Sequence, residues 1–429
     1  MASPKTAAPW TVTTLDNGLR LVTTPLAHSQ AAVLAVYVGV GSRAEQRATL
    51  GLSHYLEHML FKGTETRPTA AEISSTIEGA GGALNAFTTK ELTAYWNRVP
   101  FDRLDLAMDI LADSVQSSLL VNDEVERERT VIQQEIRRAS DEPAQRASQL
   151  LTDATYGDQP IGWDIAGDLD SVAAITRDDL INHIATWYQP NNIVLSVAGN
   201  IDPDAVLALV QRHWQDLEPQ PVPATTPAAD GMDDNRVVIE HRDIEQCNLG
   251  IALRTFPRED PDRYALTILN DVLGRGMSSR LFLEIRERRG LAYSIGSGTA
   301  RFSDAGHLGV GAGVTSENVV ETAEVSLLEI ERLTREPVGA EELDKSIEHA
   351  TGSFRLSFET ASSHCFRSGD SLLMEGHILP INEVIDSLRA VTPDDVQRVA
   401  QRFIRRDNLA ISVVGPYQDA APLEALLVD

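Results

Sequence analysis

Two histidines four residues apart, His54 and His58, with Glu57 directly before the second, are the side chains of this chain best suited to chemistry. On an α-helix positions i and i+4 share one face, so the two imidazoles can grip one ion together. Glu57 lies three residues on from His54, on the same side, where it can polarise a water beside that ion. The order His-x-x-Glu-His reverses that of the common zinc-hydrolase helix. Catalytic zinc takes three protein ligands and keeps a fourth position open, so a third ligand must come from elsewhere in the chain. Leu52, Leu56, Met59 and Leu60 give the same helix an apolar face to bury.

The chain that must position this helix has 429 residues, enough for two or three cores. Hydrophobic content of 42% and charged content of 23% are ordinary for a globular protein. The net charge of −26 is not. It argues against nucleic acid and anionic membrane as partners and favours cationic substrates or plain solubility. The first ten residues have neither the apolar centre of a secretion signal nor the arginine-rich look of a transit peptide. No run approaches about 18 apolar residues, so no membrane span is expected. Cys247 and Cys365 show no metal spacing and need not pair, which fits a reducing compartment and a cytoplasmic location.

Residues 11–41 read as strands, with a hairpin at Asn17-Gly18 and a buried strand over 32–40. The motif helix follows and breaks at Gly63-Thr64. A helix over 69–79 with Thr69 as N-cap leads through glycines into a strand over 83–89. Helices are expected over 102–117 and over 122–151, the second a long charged segment with an apolar stripe of Val125, Val131, Ile132 and Ile136. Glu128 and Glu135, seven apart, share a face of it, and Glu124 and Glu126 lie in the same segment. Any of these carboxylates is chemically fit to be the third ligand.

The proline-rich stretch Pro219–Pro227 marks a boundary near the midpoint. An internal repeat supports the cut: Ile175-Thr176-Arg177-Asp178-Asp179-Leu180, running on to Asn192–Gly199, is echoed without gaps from Val391 to Gly415, 216 positions later. Each copy reads as a capped helix and a closing strand. The expected fold is α+β, two homologous halves that each pack helices on a mixed sheet. The expected division is a first domain over 11–218, a linker over 219–235 and a second domain over 236–418. Only the first half carries the histidine motif.

His54-Tyr55-Leu56-Glu57-His58, Phe61-Lys62-Gly63-Thr64 and Glu135 after 76 intervening residues, in a chain of two related halves, resemble the pitrilysin, insulysin and mitochondrial processing peptidase family. The resemblance runs from about Thr14 to Pro416. It implies one Zn²⁺ per chain held by His54, His58 and Glu135, with Glu57 as general base and Glu128 as a supporting acid. Leu281–Ser294 resembles the family's Arg/Tyr segment and implies that Arg286 and Tyr293 orient the substrate or steady an oxyanion. Asn85, Ala86, Phe87 and Thr88 resemble the edge strand that pairs with substrate backbone. Gln159–Asp164 departs from the proline-leucine-glycine that relatives often carry there, which leaves substrate detail open. The implied activity is zinc-dependent cleavage of unfolded peptides or leader-like segments, basic ones favoured, inside a closed homodimer. The alternative is a non-catalytic core or partner subunit, although this chain keeps every ligand. The remaining histidines have no partner at metal spacing and read as structural or solvated.

Overall fold

The computed structural model describes residues 9–232 and 235–428. The first eight residues of the N-terminal segment and residues 233–234 of the expected linker lie outside the described residues. In chain order the first half runs β1 (Thr11–Thr14), β2 (Arg20–Pro25), β3 (Ala31–Val38), α1 (Leu52–Met59), α2 (Ala70–Gly79), β4 (Ala83–Thr88) and β5 (Thr93–Pro100). It continues with α3 (Leu104–Gln116), α4 (Asn122–Asp141), α5 (Pro143–Tyr156), α6 (Leu169–Ala174), α7 (Arg177–Trp187), β6 (Ile193–Gly199) and α8 (Pro203–Trp214). The second half runs β7 (Val237–His241), β8 (Cys247–Thr255), α9 (Arg263–Gly274), β9 (Ala292–Arg301), β10 (Gly306–Val314), α10 (Val319–Arg335) and α11 (Ala340–Leu356). It ends with α12 (Ala361–Met374), α13 (Ile381–Arg389), α14 (Pro393–Phe403), β11 (Leu409–Gly415) and α15 (Ala421–Ala425).

The chain forms two compact α+β units. One holds the residues up to Ile136 together with Asp164–Thr226 and Ser357–Pro380; the other holds Arg137–Trp163, Pro227–Leu356 and the chain from Ile381 onward. The crossing at Thr226/Pro227 falls inside the proline-rich stretch. The division at 218 and 236 therefore follows chain order, whereas each compact unit also takes in one helix from the other half of the sequence. Nothing in local sequence announces such an exchange, because a helix's apolar stripe does not say which sheet it covers.

The first unit's sheet has the order β1-β2-β6-β3-β5-β4, with β2 and β6 parallel and the other neighbours antiparallel. β3 is apolar at every position because both its faces are covered. Leu34, Val36 and Val38 face the core built with α1, α3 and α7, while Val33, Ala35 and Tyr37 face α12. α12 lies so close that a Cβ at Gly369 would sit 2.2 Å from Tyr37 Cε2. Polar bonds fasten it: Ser196 Oγ on β6 donates to the Cys365 carbonyl at 2.7 Å and Tyr37 Oη to the Phe366 carbonyl at 3.2 Å.

The second unit's sheet has the order β7-β11-β8-β10-β9, with β7 and β11 parallel. One face builds the core with α9, α10 and α14. The other is covered by α5, whose Leu150, Leu151 and Ala154 meet Val414, Ala252 and Ala410. Ser412 Oγ on β11 donates to the Ala147 carbonyl of α5 at 2.8 Å.

The repeat appears as expected. Thr176 and Thr392 each close a capping box with the aspartate three residues on, at the start of α7 and α14, and each helix leads to a central strand. Thr69 does the same with Glu72 at α2. The expected single helix over 122–151 is instead two helices, broken at Glu142. Pro143 is the cause: it cannot donate a backbone bond, its ring excludes the carbonyl four residues back, and it favours the first turn of a new helix. The two cysteines are buried and unpaired. Among the described residues no helix is long and apolar enough to cross a membrane.

Candidate metal centre

α1 offers its residues in two sets. Leu52, Ser53, Tyr55, Leu56 and Met59 are buried, leaving His54, Glu57 and His58 at the half-exposed side. α4 lies against it, with Val125 and Ile132 in the core beside Glu128. The Tyr55 hydroxyl donates to the Val125 carbonyl, and the Arg129 guanidinium sits over the Tyr55 ring, fixing the two helices in register.

This packing brings three side chains together. Glu135 Oε2 lies 3.8 Å from His54 Nε2 and 3.6 Å from His58 Nε2, and one donor atom from each of the three residues falls within 4.8 Å of the others. Ligands placed about 2.1 Å from a tetrahedral zinc stand roughly 3.4 Å apart. Two neutral imidazoles and a carboxylate at these spacings fit that ion, and their partial exposure leaves room for a fourth ligand. Of the four glutamates open to the sequence, Glu135 is the one in place.

Glu128 stands behind His58 rather than beside the donors. Its Oε1 is 2.7 Å from His58 Nδ1 and its Oε2 is 2.5 Å from Lys62 Nζ. A carboxylate at Nδ1 keeps the proton there and leaves the Nε2 lone pair facing Glu135, which is the tautomer a ligand requires. Burial alone would depress the His58 pKa, but the bond and charge of Glu128, with Glu57 and Glu135, outweigh it and raise the pKa. Glu128 itself is buried, yet His58 and Lys62 hold its pKa below the ordinary carboxylate value. His54 has no such partner: its Nδ1 is buried without a hydrogen bond, and burial followed by the neighbouring His58 lowers its pKa to about 4. Both effects keep His54 neutral, the form that ligates.

Glu57 points toward β4, where Thr88 Oγ1 donates to its Oε2 at 2.6 Å. Burial raises the Glu57 pKa against the opposing pull of Thr88 and His58. A carboxyl group tuned upward beside a metal site is suited to accept and return a proton. β4 is the last strand of its sheet, so Asn85, Ala86, Phe87 and Thr88 stand on an edge. Phe87 is turned inward against Tyr37 and Phe366. Thr88 thus does more than line the edge: it anchors the strand to the acid.

In the other unit Arg286 and Tyr293 come together. Arg286 lies in a π-helical stretch, Phe282–Arg288, and its guanidinium stacks 4.9 Å from the Phe282 ring centre and 5.6 Å from that of Tyr293. Tyr293 is the second residue of the edge strand β9 and is 76% exposed.

Three contributors escape sequence reading. Lys62 was visible within Phe61-Lys62-Gly63-Thr64 but without a role. His183 is buried with Nε2 3.4 Å from Ser53 Oγ, directly beneath the motif helix. Glu45 reaches that helix's first turn from a loop. No spacing rule reveals such contacts, because they arise only once the loops are folded.

Residues 20–169 match the profile of Insulinase (Peptidase family M16), and residues 174–349 match the Peptidase M16 inactive domain. An uncharacterized zinc protease of Streptomyces coelicolor is 36% identical over 413 residues, covering 95% of this chain and 90% of that one. An uncharacterized zinc protease of Bacillus subtilis is 32% identical over 407 residues, covering 94% and 97%. Among solved structures, a protease from Helicobacter pylori superposes with a TM-score of 0.88 at 24% identity, over 95% of this chain and all of that one. A chain of the complex III dimer from Candida albicans gives 0.84 at 18% identity, over 97% and 99%. These two likenesses establish the fold alone. The profile matches and the full-length relatives place the chain in the insulinase family, peptidase family M16.

Proposed function

We propose that the chain is a zinc-dependent endopeptidase that cleaves unfolded peptides or leader-like segments inside a closed homodimeric chamber. The observation that carries this reading is the convergence of His54, His58 and Glu135 from two helices, with the Glu57 carboxylate beside them held by Thr88 at its Oε2. The relatives named as zinc proteases support it.

Zinc in that site would polarise a peptide carbonyl and bring the pKa of a water toward neutrality. The chain's own groups do the rest. Glu57 accepts the proton of the attacking water and returns it to the leaving amine. Thr88, bonded to Glu57, holds the acid against the edge strand, along which an extended substrate can pair. Arg286 steadies Tyr293, whose hydroxyl donates to the developing oxyanion. The net charge of −26 favours peptides rich in lysine and arginine. A chamber closed by two copies would let the Arg286/Tyr293 pair of one chain serve the metal site of the other.

Digesting a quenched fluorescent peptide library with and without a chelator tests the activity. Cleavage that stops with chelator and returns with zinc is expected; cleavage indifferent to both overturns it. Mixing inactive His58→Ala with impaired Tyr293→Phe chains tests the dimer, and activity above that of either chain alone is expected. No recovery after subunit exchange contradicts a site shared between copies.

A further inference from the structure

We propose that Glu45 is a positioning residue for the metal site: by bridging two amides at the start of α1 it fixes the rotation of that helix and so where His54 and His58 point. The inference rests on the metal-site reading above. α1 begins at Gly51, which is left-handed with φ +90, and a Cβ there would sit 2.5 Å from the Ala166 carbonyl oxygen. Residue 51 is thereby confined to glycine, and the helix has no capping side chain of its own. The early amides of any helix lack partners within it. At α2 a local capping box meets that need. At α1 the acceptor comes from outside: Glu45 Oε2 takes the Gly51 N–H at 2.7 Å and Oε1 takes the Ser53 N–H at 2.6 Å.

Both ends of this contact are buried, Glu45 at 7% exposure and Ser53 at 0%. Losing the acceptor therefore leaves two buried donors without the partner they have here. Such a carboxylate is retained at a cost, since burial lifts its pKa to about 7 against the pull of the Ser53 and Gly51 bonds. Ser53 is also approached by His183, so the residue directly before His54 is pinned through both its amide and its hydroxyl. The leverage is large. A ligand atom about 6 Å from the helix axis swings roughly 1 Å when the helix turns about 10°, more than a metal site tolerates.

Glu45→Gln and Glu45→Ala are the variants to make, with zinc affinity measured by competition against a chromophoric chelator. Glu45→Gln is expected to keep its far-ultraviolet circular dichroism, to bind zinc about 10- to 100-fold more weakly and to show a shifted visible spectrum with cobalt(II) in the site. Its kcat should fall while KM stays within about twofold. Folded variants with wild-type affinity and an unchanged cobalt spectrum overturn the role. Should both variants fail to fold, hydrogen exchange on the wild-type chain decides: slow exchange at the Gly51 and Ser53 amides supports the bridge, and exchange as fast as a bare helix start overturns it. A wild-type chain that takes up neither metal sinks the metal-site reading itself, an outcome distinct from a defect confined to the variants.

Discussion

In one unit β3 leads into α1, and in the other β8 leads into α9, the same step of the same strand order. The two helices are used differently. In α9 the residues from Leu266 to Gly274, Thr267 apart, are buried, and the polar pair among them turns inward: Asn270 accepts from Ser297 Oγ at 2.7 Å, and Asp271 meets His349. In α1 His54, Glu57 and His58 stay at the half-exposed side, and the two imidazoles converge with Glu135. One architecture can thus turn the polar residues of its first central helix inward or gather titratable ones at its open side, and the difference lies in a few side chains. The unit without the metal residues instead presents Tyr293.

If α1 carries the chemistry and α9 does not, Glu57→Gln should retain zinc and lose turnover by about 10²- to 10⁴-fold, measured as kcat with metal content in parallel. Asp271→Asn, at the related helix, should leave zinc content unchanged. Next in size, Tyr293→Phe should lower kcat by roughly 10²-fold without loss of metal. A wild-type rate would reduce the second unit to scaffolding.

The exchanged helices sharpen the comparison from the side of stability. Gly369→Ala forces a methyl into Tyr37 and should cost about 1–3 kcal/mol, read from the denaturation midpoint. Gly311→Ala, where a Cβ meets nothing within 4 Å, is the control. Smallest of all, Ser196→Ala and Ser412→Ala should each cost about 1 kcal/mol, because each removes one buried bond to the exchanged helix. Unequal losses would show that the two copies of this contact are not equivalent in energy.

Much of this was legible in the sequence because it is local. The capping boxes at Thr69, Thr176 and Thr392 lie within four residues, and the His54–His58 pair within five. The hairpin at Asn17-Gly18 forms between β1 and β2, with Gly18 at φ +85 and Asn17 Oδ1 accepting from the Leu19 amide. Pro143 was equally local, and its helix-starting preference was overlooked in a segment whose charge pattern ran on. The selection of Glu135 over Glu128 depended on how two helices cross, which periodicity does not encode. The roles of Glu45, Lys62 and His183 depended on loops and neighbouring helices folding against α1. The exchange of α5 and α12 is a purely tertiary choice.

Every step proposed for the site requires one ion held by His54, His58 and Glu135. Plasma emission analysis of the purified wild-type chain and of His58→Ala after identical zinc loading and dialysis tests it most directly. About one zinc per wild-type chain and nearly none in the variant is the expected result. Equal zinc in both, or none in either, would contradict it.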